Sequence, residues 1–211
     1  MKIVVFGATG GTGQELVKQG LALGHTVTAF VRDPDRCPEA ERVRIVVGDV
    51  LDASAVSKAI AGQDAVLSAL GGRTLGKSDL LARAATNIIR GMHAQGVRRL
   101  IVLGAAGALR SSLKYQGTGR KIFFWLISHT MLKEPLADSA AQQRIIEADD
   151  VDYTIVLPPR LLDTPATGKY QVLPDGLPKD SFQISRADVA AFMLKQLEDR
   201  TYIRATPYIA Y

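Results

Sequence analysis

The sequence predicts an α/β fold in which one doubly wound parallel sheet lies between two helix layers. Three observations carry that expectation. Short apolar runs alternate with helical stretches through the first two thirds of the 211 residues. Those runs are near-continuous Val, Ile and Leu, as strands covered on both faces require. The first of them passes at once into a glycine-rich turn and a helical pattern, the opening of a Rossmann-type sheet.

The elements follow in order. Lys2-Ile-Val-Val-Phe6 is the first strand, and Gly7-Ala-Thr-Gly-Gly-Thr-Gly13 is the turn that leads into a helix over 12–23. Further strands are expected at 26–31, 43–47, 64–69, 98–103 and 153–157, with helices near 53–61, 78–94 and 137–149. The last third is less regular, with a short strand expected at 182–185 and a closing helix at 186–197. No repeat, low-complexity tract or linker divides the chain, so it reads as a single domain.

Composition excludes several classes. Hydrophobic residues make up 47% and charged residues 22%, ordinary for a globular protein with a real core. No apolar run approaches the ~18 residues a bilayer crossing needs, so integral membrane association is not expected. Met1-Lys2 runs straight into a strand, too early for a signal-peptide core. One cysteine, Cys37, allows no internal disulfide and fits a reducing cytoplasm. The formal charge of +5 is mild and, with no recognisable module, does not argue for nucleic acid.

The glycine turn is the first functional signal. After a strand and before a helix, Gly-x-x-Gly-x-x-Gly leaves backbone N–H groups to surround a diphosphate. Gly7 would allow the tight turn, Gly10 close approach of the diphosphate, and Gly13 close packing of helix on strand. The end of the second strand, Phe30-Val31-Arg32-Asp33, then bears on the coenzyme. Acid there suits a free ribose 2′-hydroxyl, whereas arginine accommodates a 2′-phosphate. Arg32, with Arg36 as a second fork, therefore points to NADPH over NADH, although both arginines could instead pair with Asp33 and Asp35 on a solvated loop. Asp49, in Gly48-Asp49-Val50, lies where an adenine would sit.

Gly71-Gly-Arg-Thr-Leu-Gly76-Lys77-Ser78 also satisfies the P-loop pattern for a nucleoside triphosphate. A P-loop enzyme needs a later strand that ends in a carboxylate for Mg²⁺, and neither Ile101-Val-Leu-Gly104 nor Thr154-Ile-Val-Leu-Pro158 does. The expected role is different: Ala69, Leu70 and Gly71 cross beside the coenzyme, with Arg73 and Lys77 near its phosphates, on the rim, or equally in solvent. No tyrosine has lysine four residues on, so the usual proton-donating pair of carbonyl reductases is missing. A Gly-x-Ser-x-Gly elbow is absent too, and His25, His93 and His129 are scattered, which leaves no metal set. What remains is hydride transfer to an acceptor that needs little acid help, such as a flavin, quinone or bilin.

Gly7–Gly13, Val31-Arg-Asp33, Val47-Gly-Asp-Val50, Gly62-Gln-Asp-Ala-Val66, Leu157-Pro-Pro159 and Thr164-Pro-Ala-Thr-Gly168-Lys-Tyr170 together resemble one group. It is the atypical short-chain dehydrogenase/reductase family that includes biliverdin-IXβ reductase, also called NADPH-flavin reductase. The resemblance spans most of the chain outside residues 107–136. It implies NADPH bound in an extended form and hydride passed to a flat acceptor such as FMN, riboflavin or a bilin. By position it places Thr9, Gly10, Gly11 and Thr12 on the diphosphate, Arg32 and Arg36 on the 2′-phosphate, and Asp49 and Val50 beside the adenine. Leu103, Gly104, Ala105 and Ala106, with Leu157, Pro158, Pro159 and Arg160, would border the nicotinamide and acceptor. Two departures stand out: the family's serine after the fifth strand is Ala106 here, and its histidine after Pro-Pro is Arg160. Arginine can hold an acidic substrate group but is a poor proton donor, so no catalytic acid is assigned.

Residues 107–136 exceed the usual connection after the fifth strand and read as a lid. Tyr115 and Trp125, with Phe123 and Phe124, are its candidate acceptor contacts, against packing of the rings into the core or a basic patch that touches a membrane or protein. The alternative whole function is an NmrA-like protein that senses NADP(H) without turnover. A sugar-nucleotide epimerase is a weaker third reading, since it too wants the tyrosine–lysine pair.

Overall fold

The computed structural model describes residues 1–71, 78–106, 114, 117, 133–179 and 182–211. Six strands form one all-parallel sheet: β1 (Lys2–Phe6), β2 (Thr26–Val31), β3 (Arg44–Val47), β4 (Ala65–Ser68), β5 (Arg99–Leu103) and β6 (Asp152–Val156). Their order is β3-β2-β1-β4-β5-β6, so the winding direction reverses between β1 and β4. Each strand falls within a residue or two of its expected place.

The two faces follow from alternation along each strand. Val4, Phe6 and Val66 face a core closed by α2 (Ala53–Ile60), α3 (Leu80–Gln95) and α4 (Lys133–Glu147). Ile3, Val5 and Leu67 face the other core, closed by α1 (Gly11–Ala22) and α5 (Arg186–Lys195). Because both sets are apolar the strands read as unbroken hydrophobic runs.

Helix ends are set by individual residues. Asp52 starts α2 by accepting from the amides of Ser54 and Ala55 at 2.8 and 3.2 Å. Gly96 ends α3 at φ +69, a left-handed conformation that other residues adopt only at a cost. The expected start of α4 at residue 137 is late by four. Pro135 lies in its first turn, where a missing N–H leaves no helical bond unmade, so the helix begins at Lys133 and takes in the end of the expected lid.

Beyond β6 the described residues form four three-residue strands, of which the sequence announces one. β7 (Arg160–Leu162) pairs parallel with β9 (Gln183–Ser185), the latter being the short strand expected at 182–185. β8 (Gln171–Leu173) pairs antiparallel with β10 (Tyr208–Ala210). Bridges from Thr154 to Ala205 and from Leu157 to Tyr208 lay the C-terminal segment along β6. Arg99 ties this region down from inside: its guanidinium donates to the carbonyls of Gln196 and Asp152 and to Thr154 Oγ1. Burial, partly opposed by Asp152, lowers its pKa to about 10.

Candidate functional site

The glycine turn lies where β1 meets β4, the crevice in which sheets of this order receive ligands. Gly7 has φ +78, and a Cβ there would stand 2.7 Å from the Ala69 carbonyl oxygen. The segment Ala69–Gly71 therefore crosses directly against the turn. A Cβ on Gly13 would stand 2.0 Å from the Gly7 oxygen, so α1 approaches β1 as closely as only glycine permits. Gly10 donates to the Gly7 carbonyl at 3.0 Å and is itself exposed. Gln14 steadies the turn with a 3.2 Å bond to the Thr9 carbonyl.

The start of α1 is unlike those of α2, α3 and α5. Its cap is Gly10, in extended backbone, with no capping side chain and no acid in the first turn. Asp52 caps α2, and the Ser185 hydroxyl accepts from the amide of Asp188 in α5. Helix α3 receives no bond from its own Asp79. Instead the buried Asp138 of α4 reaches across, each carboxylate oxygen accepting from an amide, Leu81 and Ala82, at 3.1 Å. Among the helix starts whose caps the structure describes, α1 alone presents bare first-turn amides and their partial positive charge, an anion site beside an open turn. The glycine cradle and the bare amides fit a dinucleotide diphosphate.

A cavity of about 190 Å³ continues from the turn and is lined by Gly7, Thr9, Phe30, Arg32, Asp49, Val50, Leu70 and Gly71 among others. Phe30 packs on Phe6 with ring centroids 4.9 Å apart, and a Cβ on Gly48 would stand 2.8 Å from its ring, so the wall is closely built. Asp49 Oδ1 accepts from the amide of Leu51 at 2.8 Å, which fixes its carboxylate at the mouth. Arg32 and Arg36 are exposed, and neither makes an ion pair among the described residues. Asp33 instead caps the short turn Pro34–Arg36 by accepting from the Asp35 amide. Arg36 is at the end of that turn and outside the cavity lining.

The ends of β5 and β6 are fastened together. Gly104 donates to the Val156 carbonyl at 2.8 Å and Ala106 to the Pro158 carbonyl at 3.1 Å. A side chain on Gly104 would meet Leu157 at 2.8 Å. Leu157 and Ala106 are buried, and Leu103 and Ala105 are half-buried beside them. Arg160 is exposed at the start of β7, held through its amide to the Phe182 carbonyl at 3.0 Å. Arg73, Tyr115 and Trp125, with Lys77, Phe123 and Phe124, lie outside the described residues. Tyr153 and Tyr170 are both pushed above the ordinary phenol value by burial, which suits packing and not proton donation. A larger groove, about 700 Å³, lies between the C-terminal ends of α1 and α5 around Leu23, His25 and Leu194, but it is far from the glycine turn and holds no anion-binding group of this kind.

Sequence reasoning missed the residues that brace this edge. Ser185-Arg-Ala-Asp188 has the spacing of a capping box and could have been read as one. Asp188 is fully buried and accepts from the amides of Thr167 and Gly168 and the hydroxyls of Thr167, Ser185 and Tyr211. The reach of Asp138 to α3 leaves no local signal.

Fold and site together define a Rossmann-type nucleotide-coenzyme protein lacking the tyrosine–lysine pair. Residues 7–200 match the model of the NAD(P)H-binding family, and the chain belongs to that family. It is 30% identical over 207 residues to YwnB of Bacillus subtilis, covering 94% of this chain and 92% of that one. Over 120 residues it is 37% identical to a 3-diazoavenalumate denitrifying reductase of a Streptomyces species, covering 51% of this chain and 39% of that protein. Among solved structures it resembles ChuY of Escherichia coli O157:H7, described as an anaerobilin reductase, with a TM-score of 0.80, 24% identity and coverage of 99% and 96%. The chain is thus an NAD(P)H-binding member of an oxidoreductase family.

Proposed function

We propose that this protein is an NADPH-dependent reductase that passes hydride to a flat, conjugated acceptor such as a flavin, bilin or quinone. The observation that carries the reading is the pairing of an open coenzyme site with ends of β5 and β6 that, among the described residues, offer no proton donor. The bare amides of Gly11 to Gly13 receive the diphosphate, and Arg32, without an ion pair among the described residues, takes the 2′-phosphate. Val50 and Phe30 close on the adenine, and Leu103 to Ala106 with Leu157 to Pro159 form the apolar bed of the nicotinamide.

When bound, NADPH supplies the hydride. The chain's part is to hold one face of the ring against an apolar floor and leave the other to the acceptor. With Ala106 and Arg160 at the strand ends, the proton comes from water, which a delocalised acceptor tolerates because its reduced form is a stable anion. Arg160, exposed at the start of β7, attracts an acidic edge of that acceptor in this reading. A relative named as a reductase and a structural neighbour named as an anaerobilin reductase are in keeping with this reading.

The test is loss of nicotinamide absorbance when purified protein and NADPH meet FMN, riboflavin, quinones and biliverdin in turn. Turnover with at least one is expected. If NADPH binds at micromolar concentration and none of them oxidises it, the protein is instead a coenzyme sensor, the reading that its missing acid also suits.

A further inference from the structure

Gly11 is not one of the three glycines the turn motif requires, yet the structure gives it a task. A Cβ at residue 11 would stand 2.6 Å from Arg186 Cδ and 2.8 Å from its Nε. The side chain of Arg186 therefore lies across the first residue of α1, in the space a larger residue would fill. Its Nη1 meets Asp163 Oδ1 at 2.6 Å, the only hydrogen bond it makes among the described residues. A guanidinium has five donors, so the partner leaves most of them unused.

The position of this arginine is fixed from several sides. In the parallel ribbon of β7 and β9, Leu162 stands opposite Ser185, so Asp163 and Arg186 are the next residues out of each strand and meet at its end. Arg186 opens α5, whose first turn is tied by Ser185 and Asp188. Asp188 also holds the amides of Thr167 and Gly168, which anchors the strap that carries Asp163. Strand ribbon, helix start and strap together form a bracket, and the bracket sets one cation against the uncapped amides of α1.

We propose that Arg186 is a coenzyme-binding residue that clamps the diphosphate from the α5 side. This rests on the reading of the α1 start as the diphosphate site. Nothing else in the bracket calls for a charge there: Asp163 is 84% exposed, and an exposed ion pair contributes little to stability. Bare amides and a guanidinium share one preference, an anion with several oxygens. Arg32 and Arg186 then divide the recognition. Arg32 reads the 2′-phosphate that separates NADPH from NADH, whereas Arg186 reads the diphosphate common to both.

The experiment compares wild type with Arg186→Gln and Arg186→Lys, measuring dissociation constants for NADPH, NADH and adenosine 2′-monophosphate, which has no diphosphate. Loss of one charge-assisted contact is expected to weaken NADPH and NADH alike by about tenfold or more. Lysine recovers part of that loss, and adenosine 2′-monophosphate binding is unchanged. Thermal melting of the free proteins checks that the bracket is intact. NADPH affinity within about twofold of wild type in Arg186→Gln overturns the proposal, as does an equal loss for the monophosphate, which would mark a distorted pocket. If wild type itself bound neither dinucleotide, the reading of the α1 start would fall first, a result distinct from both.

Discussion

Replacing Asp188 by Asn changes one atom and tests how the strap, the last helix and the C-terminal strand region are held. All contacts to the carboxylate come from donors. Oδ2 accepts from the Thr167 amide at 2.9 Å, the Thr167 and Ser185 hydroxyls at 3.1 and 3.0 Å, and the Tyr211 hydroxyl at 2.7 Å. Oδ1 accepts from the Gly168 amide at 2.8 Å. The best placement of an asparagine keeps its oxygen at the crowded position and turns its NH₂ against the Gly168 N–H. One bond to a charged acceptor is then lost, worth about 1.5–3 kcal/mol, and the other four lose the charge that strengthens them. The expected destabilisation is about 3 kcal/mol, or a fall in Tm of about 6–12 °C for a chain of this length. The pH dependence gives a second readout. Burial pushes the Asp188 carboxyl up, but the bonds from Thr167, Tyr211, Gly168 and Ser185 outweigh it and hold it below the ordinary value of 3.8. Stabilisation from this group is therefore complete above that value and disappears as the pH falls through the lower, folded one. The gap between wild type and Asp188→Asn should be widest near neutrality and close in acid. Thermal melts across that range decide it: a Tm within about 2 °C of wild type at neutral pH, or a gap that stays constant into acid, would refute the argument.

Two further outcomes are expected. Arg32→Ala should lower the preference for NADPH over NADH by about tenfold, since one charge-assisted contact to the 2′-phosphate is removed; an unchanged ratio of dissociation constants would remove Arg32 from the site. Asp138→Ala strips both carboxylate contacts from the start of α3 and should cost about 2 kcal/mol, the upper range for a helix cap. Hydrogen exchange should quicken first at Leu81 and Ala82, and protection unchanged there would show that another group caps the helix.

The fold was legible because its signals are local and repeated. Strands buried on both faces must be apolar at every position, so β1 to β6 stand out as runs, and Gly7 and Gly13 sit where backbone meets backbone at distances no Cβ survives. The bracing of the site was not legible. Asp138 serves a helix 57 residues earlier, and Arg186 fills the space beside a glycine 175 residues away. Nothing in the neighbours of either residue announces such a partner. The three-residue strands β7, β8 and β10 are also too short for a period to show, whereas β9 falls at the short strand expected at 182–185. The expected start of α4 is four residues late; Pro135 lies in its first turn, where a residue that breaks helices is harmless.

The order of the main sheet bears on how this chain is made. Its strands are all parallel, so no two neighbours join through a hairpin, and β1, the first to be synthesised, lies at the centre between β2 and β4. Its second edge stays unmatched until Ala65–Ser68 has left the ribosome. Until then an apolar ribbon with open amides and carbonyls is exposed to any passing chain. Fragments that stop short of residue 65 should aggregate, and refolding from denaturant should be slow in proportion to the distance between partners, because every contact in the main sheet must first close a long loop.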